Sequence, residues 1–298
     1  MRLATVRLGE GTRTTVLDAD GRHHLLPAPS VDALLATPSW WETARRALDD
    51  APVIEELTLA PLVLNPRKVI CCGLNFADHI TEMGRPLPEY PTLFAKYADT
   101  LTGANDDILV PPAAQGALDW EAELAVVVGA TLARADCDTA ARAIAGYTIA
   151  NDISMRDWQH RTLQWFQGKA WDASTPVGPV LLTPDEADPV CGLTVSCTVD
   201  GELRQRASTR QLVFDPPALL AYISAFTTLR AGDLVLTGTP GGVGSAAQPP
   251  TYLRDGSRVV TNIDGIGQLD NTVRFVTDPA TGSPEQRAHS QTESEGAR

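Results

Sequence analysis

Asp119-Trp120-Glu121-Ala122-Glu123-Leu124-Ala125-Val126-Val127-Val128-Gly129 is the stretch whose reading decides the fold. Its Val-rich second half and closing Gly read as a β-strand. Strand side chains alternate, so Asp119, Glu121 and Glu123 project from one face, while Trp120, Ala122, Leu124, Val126 and Val128 occupy the other. Ala125 and Val127 continue the acidic face with apolar groups, which takes the strand into a core on both sides and its carboxylates with it. Ionised carboxylates at this spacing repel one another by an amount on the order of several kcal/mol unless they protonate, meet Arg or Lys, or share a cation. The other reading of the same residues is an edge strand with a solvated acidic face.

Working outward, the 298-residue chain is long enough to bury a sizeable core, and its 43% apolar and 20% charged content is ordinary for a globular protein. Thirty-seven acidic against 24 basic side chains, a formal charge of -13, argue against nucleic acid and against anionic membranes as partners. An anionic substrate must then be held by local cations. No apolar run approaches a membrane span, and the chain leads straight into an alternating pattern without a signal peptide, so a cytoplasmic protein is expected. Five scattered cysteines form no Cys-x-x-Cys pair and are expected to be buried, reduced thiols.

Residues 1–60 read as a small, separate α+β module. It has a hairpin around Gly9-Glu10-Gly11 and helices near Val31–Leu35 and Trp40–Leu48. The main domain, 61–277, opens with the buried strand Lys68–Gly73. The helix that follows, from Leu74 to Gly84, sets His79 and Glu82 three residues apart. The pair is either a general base with its orienting carboxylate or a surface ion pair. Thr92–Tyr97 reads as a strand carrying Lys96 as a possible anion-binding group, and Ala133–Ala145 as an Ala-rich helix. Asp152 ends an apolar strand. Helix-like geometry in the segment after it would set Arg156 and Gln159 on one face. If the two strands meet, Asp152 completes a set with Glu121 and Glu123 whose hard oxygens suit Mg²⁺ or Mn²⁺. Residues 166–179 read as an irregular loop where Lys169 lies beside aromatics, and partial burial there lowers its pKa or aims it at an oxyanion. Leu193–Arg206 is a hairpin turning at Asp200-Gly201, and Pro216–Phe226 a helix. Gly238-Thr239-Pro240-Gly241-Gly242-Val243-Gly244 lets backbone N–H groups approach a carboxylate, with Thr239 adding a hydroxyl. Residues 278–298, polar and patternless, read as a disordered tail.

Taken together, six ordered motifs resemble the fumarylacetoacetate hydrolase family over about residues 60–276. They are Gly73-Leu74-Asn75-Phe76-Ala77-Asp78-His79, Phe94-Ala95-Lys96, Glu121-Ala122-Glu123-Leu124, Asp152 through Gln159, Lys169-Ala170-Trp171-Asp172, and the 238–244 loop. The resemblance implies an α+β, predominantly β fold: a rolled mixed-sheet domain, in a homodimer, binding Mg²⁺, Mn²⁺ or Ca²⁺. It implies Glu121, Glu123 and Asp152 as metal ligands and His79 as general base oriented by Glu82. Lys169 and Gln159 hold substrate oxygens and the attacking water, and Arg156 and Thr239 lie near substrate carboxylate or carbonyl groups. The family often continues Pro-Pro-x-Ser after its Phe-Ala-Lys, where this chain has Tyr97-Ala98-Asp99-Thr100. The activity implied first is metal-dependent hydrolysis of a carbon–carbon bond in a 2,4-dioxo acid. The same metal-enolate site serves 2-oxo acid decarboxylation or keto–enol and double-bond isomerisation, of oxaloacetate or 2-hydroxyhepta-2,4-diene-1,7-dioate type. A non-catalytic relative that binds a small acid is the remaining alternative.

Overall fold

The computed structural model describes residues 1–82 and 86–277, without the side chains of His79 and Glu82. The proposed tail at 278–298 therefore lies outside the described residues. Ala122–Val128 is a strand at the centre of a 12-stranded mixed sheet, and every residue in it is buried. Ala122, Leu124, Val126 and Val128 enter one apolar core and Ala125 and Val127 another, so the strand is sandwiched and the solvated-edge reading is excluded. On one side it pairs antiparallel with Ile144–Asn151, on the other with Leu234–Leu236, which runs parallel to Val69–Gly73. Thr92–Lys96 closes that end.

A second, five-stranded sheet covers the first core. It is built from the hairpin Thr194–Val199 and Glu202–Ser208, then Arg258–Ile263, Gly267–Phe275 and Ile108–Val110. Its inward Val195, Cys197, Val259, Ile263 and Leu269 meet Leu124 and Val126. The mostly β architecture with a rolled mixed sheet is the one the sequence implied.

The first sixty residues, set apart in the sequence reading, join the main sheet by strand pairing. Arg2–Leu8 lies beside Thr175–Leu182 with Leu3 opposite Leu181, and Thr58–Leu59 returns to pair with the same strand. Helices Val31–Leu35 and Trp40–Asp50 then roof the second core, where Val31, Leu34 and Ala44 join Ala125 and Val127. A short alternating strand exposes its own backbone edge, and pairing with the larger sheet removes that cost.

Three local expectations differ. The Ala-rich helix is only Cys137–Arg142, because β-branched Ile144 and Ile149 belong to the next strand. The loop at 166–179 contains a one-turn helix, Phe166–Lys169, and a strand, Thr175–Leu182, whose two prolines hid it from periodicity. All five cysteines are free, but Cys137 and Cys191 are exposed. Among the described residues no helix is long and apolar enough to cross a membrane.

Candidate active site

Strand register builds the site. Ala122 pairs with Asn151 and Glu123 with Ala150, so the residue after each strand end, Asp152, falls beside Glu121, and the Asp152 N–H donates to the Glu121 carbonyl at 2.9 Å. The Asn151 amide holds this corner, accepting from the Glu121 N–H at 2.9 Å and donating to Thr261 Oγ1 at 2.9 Å. As a result Glu121, Glu123 and Asp152 each offer one oxygen within 4.8 Å of the others, all three buried. No charge of that density is tolerated in a core without compensation.

Three cations supply it. Lys169 Nζ donates to Glu121 Oε2 at 2.6 Å and Asp152 Oδ2 at 2.8 Å, and Lys96 Nζ to Asp152 Oδ1 at 2.5 Å. Arg156 places Nη1 2.6 Å from Glu121 Oε1 and donates from Nε to Asp119 Oδ2 at 2.8 Å. The pKa balance differs from the sequence expectation for Lys169. Burial is the strongest influence and pushes its pKa down, but the charges of Asp152 and Glu121 outweigh it and the net shift is upward. Lys169 is therefore a fixed cation. Asp152 is the converse: burial raises it, and Lys169 and Lys96 bring it below the usual carboxylate range. Among the described residues no cation pairs with Glu123. Burial, then the charges of Asp152 and Glu121, push its carboxyl well above the ordinary value, against Lys169 and the Gly238 N–H that donates to it at 2.7 Å.

With Asp119, four carboxylates face three cations, leaving one net negative charge when all are ionised. A divalent cation fits this set: the three clustered donors are hard oxygens, and Glu123 is the ligand that would exchange its proton for the ion. A cation would change the local charge to one net positive, suited to an anion.

The remaining wall is the 238–246 loop, zipped to the acidic strand along its length. Gly238 donates to Glu123, and Trp120 Nε1 to the Gly242 carbonyl at 3.1 Å. Gly244 and Ser245 donate to Asp119 at 2.7 and 3.0 Å. Gln205 accepts from the Ala122 N–H at 3.0 Å and donates to Thr239 Oγ1 at 2.8 Å and the Pro240 carbonyl at 2.9 Å. The sequence reading aimed this loop at a carboxylate. The carboxylates its Gly238, Gly244 and Ser245 N–H groups meet are the protein's own. Gln205 and the clamping role of Asp119 were missed, since Gln205 sits in an ordinary alternating hairpin with no motif around it.

These parts enclose a cavity of about 460 Å³ lined by Glu121, Glu123, Arg156, Gln159, Lys169 and Thr239, together with Cys72, Leu74, Phe94, His160, Trp165 and Ser245. Trp165 closes over Gly73, where a Cβ would lie 2.4 Å from its ring, and packs on Phe94 at 5.6 Å. Of the residues singled out from the sequence, Lys96 lies behind the carboxylates rather than on the cavity, and its ammonium is spent on Asp152. His79 and Glu82 belong to the Ala77–Glu82 helix, but their side chains lie outside the described residues. That helix is tethered at its start by Asn75, which bonds Phe214 through both N–H and carbonyl and donates to the Thr237 carbonyl at 2.8 Å.

A rolled mixed sheet that carries inward carboxylates from adjoining strand ends defines the class. The fumarylacetoacetate (FAA) hydrolase C-terminal family matches residues 68–274, and the chain belongs to that family. Among its relatives, a mitochondrial oxaloacetate tautomerase of Bos taurus is 39% identical over 271 residues, 89% of this chain and 86% of that protein. The solved fumarylacetoacetate hydrolase of Exiguobacterium antarcticum superposes with a TM-score of 0.83 at 34% identity, covering 93% of this chain and all of that one. The maleylpyruvate hydrolase of Sphingobium sp. SYK-6, solved with manganese(II) and pyruvate, gives 0.77 at 28% identity over 92% of this chain and 99% of that one.

Proposed function

We propose that this protein is a divalent-metal-dependent enzyme that interconverts the keto and enol forms of a 2-oxo dicarboxylate of the oxaloacetate type. The observation that carries the reading is the buried Glu121–Glu123–Asp152 cluster with fixed cations beside it on one cavity. The tautomerase relative, similar over most of both chains, supports it. A divalent ion held by the three carboxylates supplies Lewis-acid stabilisation of enolate charge.

The chain's own residues do the rest. Lys169, held protonated by Asp152 and Glu121, keeps a positive charge at the cavity wall where enolate oxygen develops. Gln159 accepts from Arg156 Nη1 at 2.8 Å through Oε1, which leaves its amide NH₂ to donate to a substrate oxygen. Phe94, Trp165 and Leu74 narrow the cavity and limit water around the enolate. The proton carrier we assign is His79 oriented by Glu82, on the helix that begins beside Leu74.

A second reading is carbon–carbon hydrolysis of a 2,4-dioxo acid, which the two hydrolases among the structural neighbours favour. It uses the same residues, with His79 drawing its proton from water instead of carbon. The test is chelator-stripped protein given Mg²⁺ or Mn²⁺ with oxaloacetate, following enol absorbance and pyruvate release, and with acetylpyruvate in parallel. Metal-dependent equilibration of the oxaloacetate tautomers, lost in Glu121→Gln and in His79→Ala, is expected. Acetylpyruvate cleavage without tautomerisation would replace this reading with the hydrolase, and pyruvate release from oxaloacetate with the decarboxylase.

A further inference from the structure

We infer that Asp119 is a positioning residue: one buried carboxylate fixes both the Arg156 guanidinium and the Gly244–Ser245 wall, and thereby sets how the anionic end of the substrate is gripped. The inference rests on the oxo-acid reading above and deepens it.

Asp119 is fully buried and does not line the cavity, yet four donors converge on it. Oδ1 accepts from the Trp120 N–H at 2.9 Å and the Gly244 N–H at 2.7 Å. Oδ2 accepts from the Ser245 N–H at 3.0 Å and from Arg156 Nε at 2.8 Å. That fills the acceptor capacity of a carboxylate, so it has no hydrogen-bonding left for a ligand. Its two outward partners, Arg156 and Ser245, both line the cavity. A guanidinium is a rigid planar fork, so holding Nε on Asp119 and Nη1 on Glu121 and Gln159 fixes where Nη2 points. Nη2 has no acceptor among the described residues and is the edge Arg156 retains for an anion.

The loop side is held as tightly. A Cβ on Gly244 would lie 2.8 Å from Asp119 Oδ1 and 2.0 Å from the Thr251 carbonyl, so only glycine lets the loop come this close to the carboxylate. A lysine at 156 could satisfy Asp119 or Glu121 but not both through one plane, and an asparagine at 119 keeps the size while dropping the charge and setting an NH₂ donor against two of the four N–H groups.

The experiment uses the full chain as Asp119→Asn, Arg156→Lys and the double variant. It measures Mn²⁺ uptake by calorimetry, oxalate binding to the Mn²⁺-loaded protein, melting temperature, and KM and kcat for oxaloacetate. Asp119→Asn is expected to weaken oxalate binding and raise KM about tenfold, the loss of one charge-assisted contact, with a smaller change in kcat and in Mn²⁺ uptake. Arg156→Lys should weaken oxalate binding as well, and the double variant should bind oxalate no worse than Arg156→Lys alone, because both changes break one pairing. Wild-type oxalate affinity in Asp119→Asn would overturn the inference, as would losses that multiply in the double variant. So would a parallel fall in kcat, Mn²⁺ uptake and melting temperature, which marks a merely structural residue. If Asp119→Asn does not fold, wild-type oxalate affinity in Arg156→Lys overturns it alone. Wild-type protein that neither binds oxalate with Mn²⁺ nor acts on oxaloacetate would instead overturn the functional reading beneath it.

Discussion

Lys169 is the residue through which the metal question becomes a stability question. Its ammonium is the partner of both Glu121 and Asp152, and Lys96 compensates only Asp152. Lys169→Met leaves Glu121 with Arg156 alone and Asp152 with Lys96 alone, four carboxylates against two cations in a buried site, a loss of up to about 3–5 kcal/mol on the scale of removing one partner of a buried pair. In chelator-treated protein we therefore expect a large drop in melting temperature, and in excess Mn²⁺ a partial recovery, since the ion restores positive charge to the same oxygens. An unchanged metal-free melting temperature would show that Lys169 is not the counter-ion. Glu121 and Glu123 were legible as two carboxylates on one strand face and Asp152 as one at a strand end, and their set was implied by the family resemblance. The pairing that brings Asp152 to Glu121 was not legible, because register between non-adjacent strands depends on what packs on both faces. The lowered pKa, one of the two readings the sequence offered for Lys169, does not hold for a related reason. Neighbouring aromatics signal burial, whereas the carboxylates that dominate lie 17 and 48 positions away.

Two one-turn helices, Arg156–Gln159 and Phe166–Lys169, carry the cavity's cationic and amide groups. Neither is long enough to be stable alone, so each is held by packing on the other. The contact is at Gly168, where a Cβ would lie 2.5 Å from Gln159 Cβ and 2.6 Å from the Gln159 N–H nitrogen. Backbone cannot yield as a flexible side chain does, so Gly168→Ala must separate the helices by a fraction of an ångström or more. The displacement moves Gln159 and Lys169 together. We expect a fall in kcat/KM on the order of a hundredfold, the scale on which small misplacements of catalytic groups act, with Mn²⁺ still stabilising the fold through Glu121, Glu123 and Asp152. Wild-type kinetics would show that the interhelix spacing is not critical. The Arg156 helix was entertained in the sequence, where helix-like geometry would set Arg156 and Gln159 on one face. The Lys169 helix was not, because four residues containing a glycine carry no period.

Across the whole molecule, the hairpin Arg2–Leu17 is bound to the body at points far apart in sequence. Two of them are charged, Arg2 with Glu186 at 3.5 Å and Arg7 with Asp106. Arg7 forms a two-pronged pair with Asp106, Nη1 to Oδ1 at 2.9 Å and Nη2 to Oδ2 at 2.6 Å, and Asp106 also caps the turn through the Gly103 N–H at 2.7 Å and Thr102 Oγ1 at 3.1 Å. The sequence read residues 1–60 as separate because its patterns are complete in themselves. Contacts of this kind have no local signature: an Arg in one strand and an Asp in a turn ninety-nine positions on are each unremarkable. Burial, the largest single influence, raises the Asp106 pKa, but the Arg7 bonds and charge with the Gly103 and Thr102 donors outweigh it, and the net shift is downward. A carboxylate depressed in the folded state contributes stability above its unfolded pKa, about 3.9, and loses that contribution as pH falls through the folded value. Asp106→Asn should thus cost about 1 kcal/mol near neutrality, a modest figure because Arg7 is partly exposed and screened. Urea unfolding of wild type and variant from pH 7 downward should show the gap constant to about pH 5 and narrowing below pH 4. High salt should shrink it at neutral pH. A gap that widened on acidification would mean that Asp106 is raised rather than lowered in the folded protein, and that the Arg7 pair does not help tie the hairpin to the body.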